Sequence, residues 1–237
     1  MSLILEITDS IQQVDAQSWD ALVGDMPLLS HAFLSALEIS GSVGKGTGWQ
    51  PYPMLVHDDG KLVGAMPLYI KSHSYGEYVF DWAWAEAYER NGISYYPKLV
   101  SAIPFTPITS QRLIANDAET QALMVEALTE TMHKHQLSSA HVLFPDDVSA
   151  AALEQAGWLQ RNGVQFRWQN DSFTDFEDFL RMLSHDKRKK IHQERKKVVA
   201  SVWFVNASKV QTLPQSNGNF STNVMKTPTL SIVQRLI

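Results

Sequence analysis

The chain has 237 residues, 44% of them hydrophobic and 19% charged, with a formal net charge of −5. That balance is ordinary for a globular protein and gives the molecule as a whole no electrostatic reason to seek nucleic acid or an anionic membrane. There is no cysteine, which excludes disulfides, cysteine-ligated zinc and thiol nucleophiles. The first residues carry no basic leader, and no stretch approaches the roughly 18 apolar residues of a membrane span. A cytoplasmic location is the expectation.

In chain order, Leu3–Ile7 reads as a short strand. Asp15 is placed to cap a helix to about Val23, with Trp19, Leu22 and Val23 on one face. Ser30 is placed to cap a second helix from His31 to Ile39. The string GSVGKGTG (41–48) lacks the Gly-Lys-Ser/Thr entry into a helix that a phosphate-binding loop needs. It follows a helix and precedes a strand, so it reads as a connector or mobile lid. Tyr52–His57 and Lys61–Lys71 read as strands joined at Asp58-Asp59-Gly60, a hairpin signal. Gly64 within the second marks a bulge or a close backbone approach.

The stretch from Gly64 to Pro107 is the most unusual. Nine aromatics lie between Tyr69 and Tyr96, interleaved with Lys71, His73, Glu77, Asp81, Glu86, Glu89, Arg90 and Lys98. Rings alternating with ionisable groups suit a concave site with a few fixed polar groups on an apolar wall. A Tyr/Trp-rich core whose charges face water has the same composition, and both readings stand open. Tyr78–Phe80 reads as a strand and Trp82–Arg90 as a helix ended at Asn91-Gly92. Pro97, Pro104 and Pro107 leave Leu99–Ile103 as an isolated extended piece.

Asp117 is placed to cap a long helix to about His135, with Leu123, Ala127, Leu128 and Thr131 inward. His133 and His135 are two apart, the wrong spacing for a metal pair on one helix face, so no metal site is expected. Ala140–Phe144 reads as a buried strand, and Asp147 as the cap of a helix to Ala156. Arg161-Asn162-Gly163 reads as a second hairpin turn, between Trp158–Gln160 and Val164–Trp168. The sum is an α/β unit with a mixed sheet flanked by helices.

A second element begins at Phe173, with a short amphipathic helix from Thr174 to Leu183. Ser184 then precedes HDKRKKIHQERKKVVA. Seven Lys/Arg and two acids between His185 and Lys197 give that segment +5, so the remainder carries −10. Either an anionic partner or a plain solvated face accounts for it. Residues 201–237 hold no acid and sixteen Ser, Thr, Asn or Gln. They read as a disordered tail or as a slipped reading frame, since one back-translation of Gln215–Thr229 yields an aromatic string in another frame. The expected organisation is therefore 1–168 as a first domain, 169–200 as the opening of a second, and 201–237 as an atypical tail.

Several strings carry a family resemblance: SHAFLSALE (30–38), GSVGKGTGWQP (41–51), PLYIKSHSYGEYVFDWAWAEAYERNGISYYPKL (67–99) and IPFTPITSQRL (103–113). VQFRW (164–168) and DKRKKIHQERKKV (186–198) complete the set. On these the chain resembles the FemAB-like branch of the GNAT acyltransferase superfamily. The resemblance implies a GNAT-like domain, the first of two in tandem, and transfer of an acyl or aminoacyl group to an amine of a peptidic or cell-wall precursor. It implies acyl-CoA or aminoacyl-tRNA as donor, with the basic helix (Lys187, Arg188, Arg195) meeting phosphates of tRNA. No Gln/Arg-x-x-Gly-x-Gly/Ala pyrophosphate loop is present, a departure from acyl-CoA-dependent relatives. The alternatives are a ligand-binding module without catalysis and an inactive truncated product.

With no cysteine, direct transfer in a ternary complex is the simplest route. It requires a base, a polarised carbonyl and alignment. Asp81 and Glu86 are the candidates for base or amine-binding group, drawn from a wider set with Glu77 and His73. Asp81, between Phe80 and Trp82, is expected to have a raised pKa from apolar surroundings. Lys71 and Lys98 are candidates for binding a carboxylate or phosphate, with His73 beside them. Tyr75, Trp82, Tyr95 and Tyr96 would form the wall.

Overall fold

The computed structural model describes residues 3–164, 168–200 and 230–236. The chain divides into two compact units, Met1–Gln165 with Thr229–Ile237, and Phe166–Pro228. In the first, Leu3–Ile7 is β1. Asp15 accepts the Ser18 amide at the start of Ala16–Val23 (α1), and Ser30 accepts that of Phe33 at the start of His31–Ile39 (α2). The 41–48 loop runs into Trp49–Pro51 (β2). Met54–Asp58 (β3) and Lys61–Met66 (β4) form the expected hairpin. Asp59 and Gly60 both take positive φ there, 47° and 79°, as a primed two-residue turn demands.

The single strand expected over Lys61–Lys71 is two strands. β4 ends at Met66, and Leu68–Lys71 (β5) belongs to a different sheet. Pro67 lies between them and has no amide hydrogen to continue a ladder. Pro53 occupies the same kind of junction between β2 and β3. The next elements are Trp82–Arg90 (α3), Lys98–Ser101 (β6), Ile114–Ala115 (β7) and Ala118–Lys134 (α4). Ser139–Leu143 (β8), Asp147–Gln155 (α5) and Leu159–Gly163 (β9) follow. Asp117 caps α4 as expected; α5 is capped by Asp146 rather than Asp147. Tyr78–Phe80 forms no strand, because Tyr78 takes a left-handed φ of 57° that breaks an extended run. Gly64 is a close approach: a Cβ there would lie 2.7 Å from Thr120 Cγ2 on α4.

Two sheets result. The first has the order β1-β3-β4-β7. The second has the order β2-β5-β6-β8-β10-β9, where β10 is Leu230–Leu236. β6 and β8 are parallel, and every other neighbouring pair is antiparallel. The mixed α/β sheet architecture is therefore present. Two local expectations change. Lys98–Ser101 is not isolated but central, paired to β5 on one side and β8 on the other. Arg161-Asn162-Gly163 is not a turn: it continues β9, because the ladder with β10 outweighs the local Asn-Gly preference.

Leu99, Ala140 and Val142 share a core with Met54, Met66, Met124 and Leu128 from the first sheet and α4. The opposite face of β5 and β6 presents Tyr69 and Val100 to Trp49, Val79 and Phe144. In the second unit, Phe176–Arg181 (α6) and His185–Ala200 (α7) are helical. Asp175 caps α6. The expectations for 165–167 and for 201–229 lie outside the described residues. No helix among those described is long and apolar enough to cross a membrane.

Candidate functional site

Register sets the site. Lys71 of β5 stands directly opposite Lys98 of β6, so the two side chains leave the sheet on the same face. Val100 aligns with His141 of β8, which places Ser139 and His141 on that face too. The loop from Ser72 to Pro97, with α3 inside it, closes over this end of the strands. It brings Ser74, Glu77 and Asp81 down onto the two lysines. All five of these side chains are buried, and both lysines have zero exposure.

Lys98 Nζ donates to Asp81 Oδ2 at 2.5 Å, to Glu77 Oε2 at 2.9 Å and to Ser74 Oγ at 2.9 Å. Its three hydrogens are thereby used. Asp81 Oδ2 also accepts from Tyr95 OH at 2.8 Å and Ser74 Oγ at 3.0 Å. Lys71 Nζ donates to the Tyr75 carbonyl at 3.3 Å, lies 3.9 Å from Glu77 Oε1 and stacks 3.8 Å over the Trp49 ring. Asp81 Oδ1 and Glu77 Oε1 are buried without a hydrogen-bond donor among the described residues.

Asp81 occupies the N-cap position of α3 yet caps nothing. Asp15, Asp117, Asp146 and Asp175 at the same position of other helices each accept a backbone amide, at 2.7 to 2.9 Å. A cap of that kind contributes about 1 kcal/mol. Asp81 forgoes it because Lys98, Tyr95 and Ser74 offer three donors inside.

Electrostatics follow from this packing. Burial pushes the Asp81 carboxyl up, but Lys98 and the hydrogen bonds from Lys98, Tyr95 and Ser74 outweigh it, so its pKa is lowered. The expectation of a raised value rested on the rings beside Asp81 in sequence. Phe80 and Trp82 point outward, 81% and 48% exposed, and never enclose it. Glu77 is the raised carboxyl: burial dominates over the nearby Lys98. Burial also pushes Lys71 down, to about 8, against the pull of Glu77. His141, buried and facing Lys98, falls to about 3 and stays neutral.

The other expected residues divide. Tyr95 and Tyr96 join the network; Tyr96 OH lies 2.8 Å from Ser74 Oγ. His73 instead packs on Tyr75, with ring centroids 5.1 Å apart, and its Nε2 lies 3.0 Å from the Thr47 carbonyl. Gly48 leaves room for that ring, since a Cβ there would lie 2.0 Å from His73 Nε2. Tyr75 and Trp82 are exposed and pack edge to face at 5.4 Å. Glu86 is not in the cluster: it faces water, in an i,i+4 pair with Arg90 at 4.0 Å. Lys98 has no hydrogen left for an anionic ligand, and neither lysine is exposed. In the second unit, Arg188 donates to the Arg181 carbonyl at 3.2 Å and Arg195 lies 4.4 Å over Phe176. Lys187 is exposed and makes no hydrogen bond or ion pair among the described residues.

Two buried groups went unmarked by the sequence reading. His141 accepts or donates at 2.8 Å with Ser139 Oγ and sits 3.4 Å from Tyr95 OH. Arg112 holds the carbonyls of Leu143 and Ile108 at 2.8 and 2.9 Å, and also Ser110 Oγ. A strand-internal histidine was the available signal for the first. The partners of Arg112 are mostly backbone, which sequence does not display.

Beside the network lies a hollow of about 420 Å³, lined by Glu89 on α3 and by Tyr95 and Tyr96 among others. A family profile described as FemAB-like, peptidoglycan biosynthesis/recognition, matches residues 10–227. The chain belongs to the FemAB-like family. No curated protein matches this FemAB-like sequence. Among solved structures it is similar to a polyamine N-acetyltransferase of Drosophila melanogaster, at 10% identity over the whole of both chains and a TM-score of 0.48. It is also similar to a probable acetyltransferase of Staphylococcus epidermidis, at 11% identity over 71% of this chain and 93% of that one, TM-score 0.42. The N-acetylglutamate synthase of Neisseria gonorrhoeae, solved with coenzyme A and N-acetyl-glutamate, gives 10% identity over 98% of this chain and 35% of that one, TM-score 0.34. Family membership rests on the profile match and not on these likenesses.

Proposed function

We propose that this FemAB-like chain transfers an acyl or aminoacyl group to an amine of a peptidic or cell-wall precursor. The observation that carries the reading is a hydrogen-bonded line from Tyr96, half-buried at the hollow, through Ser74 to the Asp81–Lys98 pair. An amine that attacks an acyl carbonyl sheds one proton, so its site needs a way to move or hold that proton. The line links an open hollow to a cluster of coupled titratable groups. With no cysteine in the chain, no thioester-enzyme intermediate can form. In direct transfer the amine–carbonyl bond forms as the CoA sulfur or the tRNA ribose oxygen leaves, and the proton the amine sheds balances the one the leaving group takes up.

In this reading Tyr95 and Tyr96 wall the acceptor. Asp81 acts as a positioning residue: with 2% exposure it meets no substrate, but it fixes Tyr95, Ser74 and Lys98. Glu77, with its raised pKa, is the carboxyl best suited to hold a proton. Lys187, Arg188 and Arg195 on α7 supply positive charge for donor phosphates, whether of acyl-CoA or of aminoacyl-tRNA.

The test gives purified protein a lysine-containing peptide together with acetyl-CoA or with aminoacyl-tRNA, and weighs the peptide by mass spectrometry. A mass gain with either donor supports the reading and names the donor. Stabilisation by a donor without any gain supports a binding module instead. Neither effect, in protein that melts cooperatively, rejects both.

A further inference from the structure

Hydrogen-bond stoichiometry fixes what the hollow can accept. Ser74 has one hydroxyl hydrogen, and it goes to Asp81 Oδ2 at 3.0 Å, an acceptor only. Lys98 Nζ, with hydrogens and no lone pair, donates to Ser74 Oγ at 2.9 Å. The 2.8 Å contact between Ser74 Oγ and Tyr96 OH must then use the hydrogen of Tyr96. What Tyr96 retains for a ligand is lone-pair acceptor capacity. Burial raises its pKa, which keeps that hydrogen in place.

Glu89 lines the same hollow and, among the described residues, has neither a salt bridge nor a side-chain hydrogen bond. Its neighbour Glu86 is engaged with Arg90 at 4.0 Å. Ala85 and Ile93 supply apolar lining, and Ile93 is 57% exposed. The residues lining the hollow therefore include a carboxylate, a phenol whose oxygen has acceptor capacity left, and short apolar side chains. An anion meets repulsion there, and a neutral hydroxyl gains only an ordinary hydrogen bond. A group with several N–H donors and a positive charge gains most.

We infer that this hollow is a subsite for a primary alkylammonium group, held by the Glu89 carboxylate and the Tyr96 oxygen. The subsite rests on the acyl-transfer reading only for its use, since it is where the acceptor amine would dock before losing its proton.

The experiment uses the full chain and n-butylammonium chloride as probe, with n-butanol and sodium butyrate as length-matched controls, followed by tyrosine and backbone NMR shifts. Butylammonium is expected to bind and to move the Tyr95, Tyr96 and α3 signals, with butyrate inert. Glu89→Gln is expected to weaken it about threefold to fivefold, as an exposed charge pair does. Tyr96→Phe is expected to weaken it about tenfold, as loss of an acceptor for a charged donor does. Glu86→Gln, an exposed control on the same helix, leaves binding unchanged. Equal binding of butanol, or shifts insensitive to both Glu89→Gln and Tyr96→Phe, overturns the subsite. Peptide acylation with no ammonium binding here removes the subsite and leaves the transferase reading. Binding here with no acylation by either donor does the reverse.

Discussion

The two ends of the parallel pair β6–β8 solve one problem in opposite ways. Each buries cationic side chains completely. At the start of the strands Lys71 and Lys98 meet Glu77 and Asp81, groups that titrate. At the far end Arg112 meets carbonyl and hydroxyl oxygens, which do not. Burial lowers the Arg112 pKa to about 9 against the pull of Asp146, which makes no hydrogen bond to it. Backbone acceptors cannot exchange protons near neutral pH, so the Arg112 end is a clamp on the loop from Ile103 to Leu113. The Lys98 end has protons to redistribute, and it alone adjoins Tyr96 and the hollow. Burial of charge marks both ends; titratable partners mark the one suited to chemistry.

The largest expected effect separates the ends directly. Lys98→Met leaves Asp81 and Glu77 buried without their principal donor, and should cost about 3–5 kcal/mol in urea unfolding. Arg112→Met orphans carbonyls rather than charges, and should cost less, about 2–3 kcal/mol. An inverted order would mean the carboxylates find other donors and the contrast is wrong.

Alkaline stability sharpens the same contrast. The folded pKa of Lys71 near 8 lies below its unfolded value of 10.5. Between those values the unfolded chain binds more protons, so stability rises with pH from about 8. Arg112, lowered by burial to about 9, adds to the rise above that pH. Above pH 10 the raised pKa values of Tyr69 and Tyr95 act in the opposite direction, so the clean window for Lys71 runs from about 8 to about 9. Lys71→Met should abolish the rise between pH 8 and 9, while Arg112→Met should keep that rise and lose the further one above pH 9. Chemical denaturation at several pH values from 8 to 9 and from 9 to 10 reads the two rises separately. The smallest effect belongs to Glu86→Gln, which should change stability by no more than about 0.5 kcal/mol.

Much of the scaffold was legible because its signals are local. Asp15, Ser30 and Asp117 announce their helices, and Asp58-Asp59-Gly60 its hairpin, within four residues of sequence. The same local rule misplaces Asp81. It precedes a helix like the others, yet Lys98, seventeen residues on, draws its carboxylate inward. Glu86 looked equivalent to Asp81 by neighbourhood, but it lies on the outer side of a helix with no buried residue. The central place of β6 and the straight run of β9 depend on partners far along the chain, including β10. No spacing rule shows such partners in advance. Of the four rings expected to form a wall, Tyr75 and Trp82 are exposed, while Tyr95 is buried and Tyr96 half-buried.

The most direct measurement is steady-state acylation of an amine acceptor by Tyr96→Phe and Glu86→Gln beside the unmodified chain, each with KM and kcat resolved. The account predicts that Tyr96→Phe raises the acceptor KM about tenfold, as loss of one charge-assisted bond does, while Glu86→Gln matches the unmodified chain. An unchanged KM in Tyr96→Phe, with activity lost in Glu86→Gln, would contradict it.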